Sequence, residues 1–424
     1  MRANPHWKPI IVELTDLINS EKGWTTAFDY AVKEAISYDI DLEGIKDTYT
    51  YCEYMNDLLS WIPTENMDGN AIYRKICISY FILDQPALAG YQTPIHPASA
   101  DQPLTRLSQW IVKYAQTLGT DWLDTPASIT PASIQSFYDT KSYNMDDYIQ
   151  PPGGWKTFNE FFARHLKPGK RPIDGENDPG VVVSAADSVF DGHWSINDDL
   201  VEFTVKGVPW SIKDLLKGSK YADAFKNGTF MHSYLSTNDY HRQHAPISGT
   251  VVEAYNINGA AYLEVVVKDD NEETIGYDFN RQLSSTPTNR LCMQRKLINK
   301  KPSGLGAPDK PGYQFLQLRA MIVIDSPIGL VAVLPIGMDN ISSVVITCKE
   351  GQVLKKGDEI SYVQFGGSDI VMVFEEGSNL NFTADVGTHY NVGKQIGIGS
   401  VPDVAKSGLG RILASLRWLL PWAR

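Results

Sequence analysis

Cysteine is scarce in this chain, and its few copies are widely separated. The 424 residues include four cysteines, none in a Cys-x-x-Cys spacing, so we expect reduced, buried thiols rather than a disulfide framework or a cysteine-bound zinc ion. An apolar run of about twenty residues is also missing, which predicts no membrane-spanning helix. The N-terminus lacks the apolar core of a secretory signal, and the expected compartment is therefore the cytosol.

Positive charge is in deficit as well. Lysine and arginine number 38 against 50 aspartates and glutamates, which gives a net charge of −12. This balance argues against nucleic acid as a main partner, because phosphate binding needs a basic surface. The hydrophobic content of 43% is that of a globular protein, and the length suits two or three domains.

The texture of the chain changes twice. Residues 1–150 carry apolar positions at helical spacing and predict a helical N-terminal domain. A proline- and glycine-rich break at residues 150–154 precedes residues 151–400, where Thr157 and Glu160 predict a short capped helix and later segments predict strands. The expected fold class is α+β: a helical N-terminal domain followed by a β-rich, mainly antiparallel catalytic domain.

Residues 401–424 form a distinct, basic tail. Its leucines recur at helical spacing, and Trp418 and Trp422 lie near the end. Such a segment can be a terminal helix that docks on the protein, or an interfacial helix that makes peripheral contact with a membrane through residues 404–424. Amphipathicity alone does not separate these two readings.

A small glycine step lies between two apolar runs near the C-terminus. The stretch reads Gln364-Phe365-Gly366-Gly367-Ser368-Asp369-Ile370. One interpretation is a tight turn between two strands. The other is a reactive serine, because glycine permits backbone conformations closed to other residues and a neighbouring base could activate the Ser368 hydroxyl.

Candidate partners for that serine occur upstream. Asp187 follows a predicted strand, and His241 and His244 lie three residues apart before a proline. Each has a plainer interpretation: a turn aspartate, a structural histidine pair, or two ligands of a metal site that lacks further ligands nearby. Together with Ser368, however, an aspartate and a histidine have the chemistry of an activated nucleophile.

The motifs resemble, in family order, those of the phosphatidylserine decarboxylase family. They are residues 157–173, Asp187, residues 239–246, residues 357–360 and Gly366-Gly367-Ser368. The resemblance implies a proenzyme that cleaves itself between Gly367 and Ser368 and converts the serine into a covalent pyruvoyl group, with no external cofactor. It also implies that Asp187 and His244 activate Ser368, that His241 serves decarboxylation as a proton donor, and that the two cleaved chains stay associated. The pyruvoyl ketone would form a Schiff base with a substrate amine and act as electron sink.

Three departures bear on the substrate. The serine motif is Phe-Gly-Gly-Ser-Asp rather than Leu-Gly-Ser-Thr, and Gln317-Leu318-Arg319 replaces an Asn-Glu-Arg motif. The N-terminal half, including residues 51–59, resembles the fungal tryptophan decarboxylase of psilocybin biosynthesis and its relatives. We therefore expect a free, aromatic L-amino acid as substrate, with phosphatidylserine as the alternative.

Two non-enzymatic alternatives remain. Residues 245–252 and 351–358 resemble the hairpins of biotinyl and lipoyl carrier domains, although neither Met-Lys-Met nor Asp-Lys-Ala is present. A membrane-binding module built on the tail would leave Ser368 and the histidines without a role.

Overall fold

A computed structural model describes residues 2, 4–205, 208–269, 274–275, 302–307, 313–337, 344–366 and 368–402. Gly367 and the tail at 404–424 lie outside the described residues, so the predictions made for them are untested.

The first part of the chain is helical. The α-helices are α1 (Pro9–Ser20), α2 (Trp24–Ile36), α3 (Thr48–Leu58), α4 (Ala71–Phe81), α5 (Pro86–Ala89), α6 (Arg106–Gln116), α7 (Pro131–Asp139), α8 (Phe158–Phe162) and α9 (Ile212–Leu215). A π-helical turn, Thr117–Trp122, continues α6. Single 3₁₀ turns occur at Pro97–Ser99, Pro126–Ser128, Lys141–Tyr143, Met145–Asp147, Ala222–Phe225, Tyr313–Phe315 and Glu376–Ser378.

Local sequence explains several helix starts. The Asp47 side chain accepts the Thr50 N–H ahead of α3, and Thr130 does the same for Ser133 ahead of α7, where Pro131 is the first helical residue. These side chains satisfy N–H groups that have no partner inside the helix. The Thr157 hydroxyl likewise accepts the Glu160 N–H at the start of α8, which confirms the predicted capped helix.

The second part consists mainly of strands. They are β1 (Val181–Val183), β2 (Ser188–Asn197), β3 (Leu200–Val205), β4 (Val208–Ser211), β5 (Thr229–Leu235), β6 (Arg242–His244), β7 (Gly249–Ile257), β8 (Val266–Asp269), β9 (Thr274–Ile275), β10 (Pro302–Gly306), β11 (Arg319–Ser326), β12 (Gly329–Gly337), β13 (Val344–Ile346), β14 (Val353–Leu354), β15 (Glu359–Val363), β16 (Ser368–Phe374), β17 (Asn381–Phe382), β18 (His389–Tyr390) and β19 (Gln395–Ile398).

One large antiparallel sheet organises these strands. Its order is β14-β7-β11-β12-β16-β5-β2-β3-β4, with β18 paired to β2. Three smaller sheets, β1-β19-β17, β10-β8-β9 and β13-β15-β6, surround it. The predicted α+β class, with a helical first part and a mainly antiparallel second part, is confirmed.

The central strand β16 is buried on both faces, which explains its continuous run of β-branched and apolar residues. Its side chains alternate between two apolar clusters. Val371 and Val373 belong to a cluster shared with the N-terminal helices, whereas Ile370 and Met372 belong to a second cluster on the other face. The helices therefore cover one face of the sheet, and β16 lies between the two cores.

No helix within the described ranges is long and apolar enough to cross a membrane.

Candidate active site

Ser368 is the first residue of β16 and follows the glycine step that leaves β15. Gly366 has a φ of 145°, a conformation that favours glycine, and Gly367 lies outside the described residues. The serine is 1% exposed, and its Oγ has no hydrogen-bond partner among the described residues. Buried polar side chains are usually hydrogen-bonded, and an exception in a native structure calls for an explanation such as a catalytic role. Ser368 thus offers a buried hydroxyl group that no structural hydrogen bond engages.

Aromatic rings surround the residue that begins the glycine step. Phe365 is fully buried, and its ring centroid lies 5.5 Å from those of Phe158 and Phe162 and 6.0 Å from that of Trp61. Edge-on contacts of this kind add to the hydrophobic gain from burying the ring. Trp61, which follows α3, and the helix α8 therefore hold the segment that leads to Ser368.

Asn159 connects the same segment to the helical layer. Its Oδ1 accepts the Phe365 N–H at 3.2 Å, and its Nδ2 donates to the Gly119 carbonyl at 2.7 Å. Gly119 belongs to the π-helical turn Thr117–Trp122, an uncommon conformation that recurs at functional sites. Both polar ends of one buried amide are thus used to position the backbone before Ser368.

His241 lies beside the end of β15, where its carbonyl accepts the Val363 N–H at 3.1 Å. Its ring stacks on Phe162 with centroids 3.9 Å apart, and Nε2 lies 3.3 Å from the Thr237 carbonyl. Burial, aided by the charge of Arg164, lowers the pKa of His241 to about 3. The imidazole is therefore neutral, with Nε2 assigned as the N–H donor to Thr237. Nδ1 is then an acceptor, and it has no partner in the described part of the chain.

His244 is held by two other groups. Nδ1 lies 2.7 Å from the Gly357 carbonyl and must carry the proton, so Nε2 accepts the Tyr240 hydroxyl at 3.0 Å. Burial lowers the pKa of His244, against the opposing effects of the Gly357 hydrogen bond and the charges of Glu359 and Asp187. His244 is thus a neutral imidazole whose Nε2 lone pair can accept a proton.

Asp187 is buried and paired with a cation. Arg171 Nε lies 2.9 and 3.0 Å from the two carboxylate oxygens, and Arg171 Nη2 makes a further close contact with Oδ2. The Val392 N–H donates to Oδ1 at 2.7 Å. A carbonyl, rather than this carboxylate, therefore orients the His244 ring, and Asp187 acts on that ring through its charge.

Strand register brings Asp187 and Ser368 to the same end of the large sheet. Val189 pairs with Tyr234 of β5, and the next residue of β5, Leu235, pairs with Ser368. Asp187 immediately precedes β2, so its backbone lies about two strand spacings, roughly 10 Å, from that of Ser368. The loop that follows Leu235 leads to both histidines.

The two histidines are placed on different sides of this end. Ser368 shares a face of β16 with Ile370, whose cluster includes Ala245, the neighbour of His244. His241 stacks on the aromatic rings of the other cluster. Among the described residues, no direct hydrogen bond joins Ser368 to Asp187 or to either histidine. The structure therefore places the four predicted residues near the same end of the large sheet, but in its described part they do not form a hydrogen-bonded triad.

The sequence alone did not assign a role to several residues that contribute to the site. Asn159 and Phe365 act through distant contacts, and Arg171 was seen only as part of a motif. The run Phe158–Phe162, unusually aromatic for so short a helix, was the available signal. Within the described residues, no group of three side chains is arranged to bind a metal ion.

Comparison with known proteins places the site in a family context. Residues 158–398, more than half of the chain, match the family model described as phosphatidylserine decarboxylase. Phosphatidylserine decarboxylase proenzyme 3 of Schizosaccharomyces pombe is 30% identical over 59% of this chain and 22% of its own length. The proenzyme of Geobacillus kaustophilus is 30% identical over 58% of this chain and 76% of its own length.

A third relative extends into the helical part. Decarboxylase iboD of Amanita muscaria is 27% identical over 78% of this chain and 93% of its own length. The chain spans only 22% and 35% of the length of the Schizosaccharomyces pombe protein and a rice phosphatidylserine decarboxylase proenzyme, respectively.

Proposed function

Since the chain belongs to the phosphatidylserine decarboxylase family, a family of decarboxylases, we propose that it is a self-cleaving proenzyme that removes the α-carboxylate of an amino acid or its derivative. The observation that carries this proposal is the Oγ of Ser368, directly after the glycine step, which is buried and has no hydrogen-bond partner in the described part of the chain. A purely structural serine at this position would be expected to hydrogen-bond.

The same position fits a pyruvoyl group, because that group is made from a serine at a cleaved peptide bond. Once formed, it would supply a ketone that binds the substrate amine and accepts the electron pair released with CO2. Ser368 would become this group, and it would lie at the N-terminal end of the central strand β16.

Cleavage would begin with attack of Ser368 Oγ on the carbonyl carbon of Gly367. The peptide C–N bond breaks as the ester C–O bond forms, and the amine of residue 368 takes up a proton. Elimination then breaks the ester, leaving a carboxylate on Gly367 and dehydroalanine at 368. Addition of water and loss of ammonia convert dehydroalanine into pyruvoyl.

His244 is proposed as the base of the first step. Its Nε2 is unprotonated but accepts the Tyr240 hydroxyl, so it must exchange this partner for the hydroxyl of Ser368. The negative charge of Asp187 would stabilise the imidazolium that forms. This assignment rests on the family motif and on the position of His244, Asp187 and Ser368 near the same end of the large sheet.

His241 is proposed to serve decarboxylation. Its Nδ1, which has no hydrogen-bond partner among the residues that the structure describes, is buried on the side of the helical layer, near the segment that leads to Ser368. Because the ring is neutral, Nδ1 must first gain a proton before it can return one to the carbon that loses CO2. A substrate that brings an ammonium group can supply that proton.

We propose a free, aromatic L-amino acid as the substrate. The aromatic residues Trp61, Phe158 and Phe162 pack around Phe365, at the start of the glycine step that leads to Ser368. Trp61 belongs to the part of the chain before residue 158, outside the family match. Arg319, in the altered Gln-Leu-Arg motif, is buried and donates to three backbone carbonyls, including that of Leu215 at 2.7 Å.

Phosphatidylserine is the alternative substrate, since relatives named for it are 30% identical to this chain over 59% and 58% of its length. Peripheral membrane contact through residues 404–424, and a cytosolic location, stay predictions.

The cleavage is tested by intact mass under denaturing conditions. Fragments 1–367 and 368–424 are expected, the smaller with a ketone at its N-terminus, and Ser368→Ala should remain one inactive chain. Ser361→Ala is a matched control, because Ser361 is a buried serine of β15 whose hydroxyl already donates to Gln243. Cleavage of the Ser368→Ala protein at this bond would refute the assignment of Ser368 as the nucleophile.

The substrate is tested by CO2 release from matured protein given L-tryptophan, L-tyrosine, L-phenylalanine or phosphatidylserine vesicles. Release from an aromatic amino acid supports the proposal. Release from the vesicles alone would make the phospholipid the substrate.

A further inference from the structure

A buried charged cluster lies directly behind the serine, on the opposite face of β16. His232 Nε2 and Asp369 Oδ2 are 3.1 Å apart, and His232 Nδ1 and Asp191 Oδ2 are also 3.1 Å apart. Gln314 Nε2 donates to Asp369 Oδ2 at 2.5 Å. His232 is fully buried and Asp369 is 2% exposed. Among the described residues, no other imidazole lies between two carboxylates.

The contacts identify His232 as a cation. Each ring nitrogen faces a carboxylate oxygen, which accepts but cannot donate, so both nitrogens carry a proton. Burial alone would lower the pKa of His232, but Asp369 and Asp191 outweigh it and raise the pKa to about 9. The Gln314 amide nitrogen lies 3.1 Å from His232 Nε2, and its proton is assigned to Asp369 Oδ2 rather than to the imidazole.

The proposed cleavage would place the members of this cluster on two different chains. Asp369 is the second residue of the small chain, 368–424, whereas His232, Asp191 and Gln314 all belong to 1–367. The pyruvoyl group has a ketone in place of an amide, so residue 368 can no longer donate a backbone hydrogen bond to the sheet. A new chain end tends to fray unless something ties it down.

We propose that the ion pair between His232 and Asp369 holds the new N-terminus of the small chain in the sheet after cleavage and so positions the reactive ketone. His232 and Asp369 are thus positioning residues, and the role rests on the proposed cleavage. Before cleavage the peptide bond to Gly367 gives the same restraint, so the pair matters more in the processed protein. Reactive groups need placement within about half an ångström, which a frayed strand end does not provide.

The test compares His232→Gln and the shape-conserving Asp369→Asn in two forms, the processed protein and the uncut Ser368→Ala protein. Each variant should lower the thermal midpoint more in the processed form than in the uncut form. In the processed form kcat should fall by up to about 100-fold, as expected for a reactive group displaced by about 1 Å, with KM little changed. The small chain should also dissociate at a lower urea concentration.

Glu253→Gln is the matched control. Glu253 is buried and accepts the Ser219 hydroxyl at 2.5 Å and the Lys220 N–H at 3.0 Å, all within 1–367. Its effect on the thermal midpoint should be equal in both forms. Equal shifts for His232→Gln and Asp369→Asn in the two forms, with kcat unchanged, would overturn the proposal. If His232→Gln does not fold, Asp369→Asn alone decides the comparison. An intact mass that shows one uncut chain would instead refute the cleavage itself, and the anchoring role with it.

Discussion

Removing the Phe365 ring should slow self-cleavage far more than a substitution elsewhere that lowers the free energy of unfolding by the same amount. Phe365 is fully buried against Trp61, Phe158 and Phe162. Replacing a buried phenylalanine by alanine lowers stability by about 3–5 kcal/mol. If most of that packing energy orders the segment before Ser368, the loss could reduce the cleavage rate about 100-fold or more, since about 1.4 kcal/mol corresponds to tenfold.

Phe28→Ala is the matched control. Phe28 is equally buried, lies in α2 and packs against Trp24 in the helical core. Both substitutions should lower the free energy of unfolding of the uncut Ser368→Ala protein by a similar amount. Only Phe365→Ala should slow cleavage of the freshly translated chain, followed as the appearance of fragment 1–367 over time on a denaturing gel.

Two results would refute this reasoning. Cleavage of Phe365→Ala at the wild-type rate would show that the ring does not order the reactive segment. Equal slowing by Phe28→Ala would show that cleavage follows overall stability. Phe365→Leu, a milder change that removes less of the buried side chain, should give an intermediate cleavage rate.

The remaining predictions concern charge. His244→Ala and Asp187→Asn should impair maturation seen by intact mass, whereas His241→Ala should mature and release little CO2; the reverse pattern would exchange the histidine roles. Burial lowers the pKa of His241 from 6.5 to about 3, so the uncut protein should lose stability as the pH falls below 6.5. In His241→Leu, the urea midpoint of unfolding should fall less over the same acidic pH range. The carboxylates around His232 raise its pKa to about 9 despite burial, so roughly 3 kcal/mol should be present below pH 6.5 and lost as pH rises through 9. A His232→Gln protein with an unchanged alkaline limb would contradict this assignment.

Local sequence was enough wherever a short-range rule applies. The capping residue Thr157 predicted the start of α8, and the apolar run after Ser368 predicted a strand. Helical spacing before residue 150 and alternating short runs after it predicted the α+β class. These features depend on contacts within a few residues, so the order of residues determines them directly.

The site residues themselves were proposed from motif order, and the structure added their surroundings. Their order along the chain could not show that Gly357, rather than Asp187, orients His244, or that Arg171 holds Asp187. Those contacts depend on how β6 and β15 pack against the start of β2, at the end of the large sheet where Ser368 lies.

By itself, then, the sequence predicted the glycine step, the α+β class and the family motifs, because each depends on residues that lie close together in the chain. Only the tertiary structure decided what surrounds Ser368. Asn159 and Phe365 are 206 positions apart, yet one amide joins them. His232 and Asp369 become an ion pair only because β5 and β16 are neighbours in the sheet. No local pattern encodes such pairs, since strand order and register depend on the packing of both cores at once.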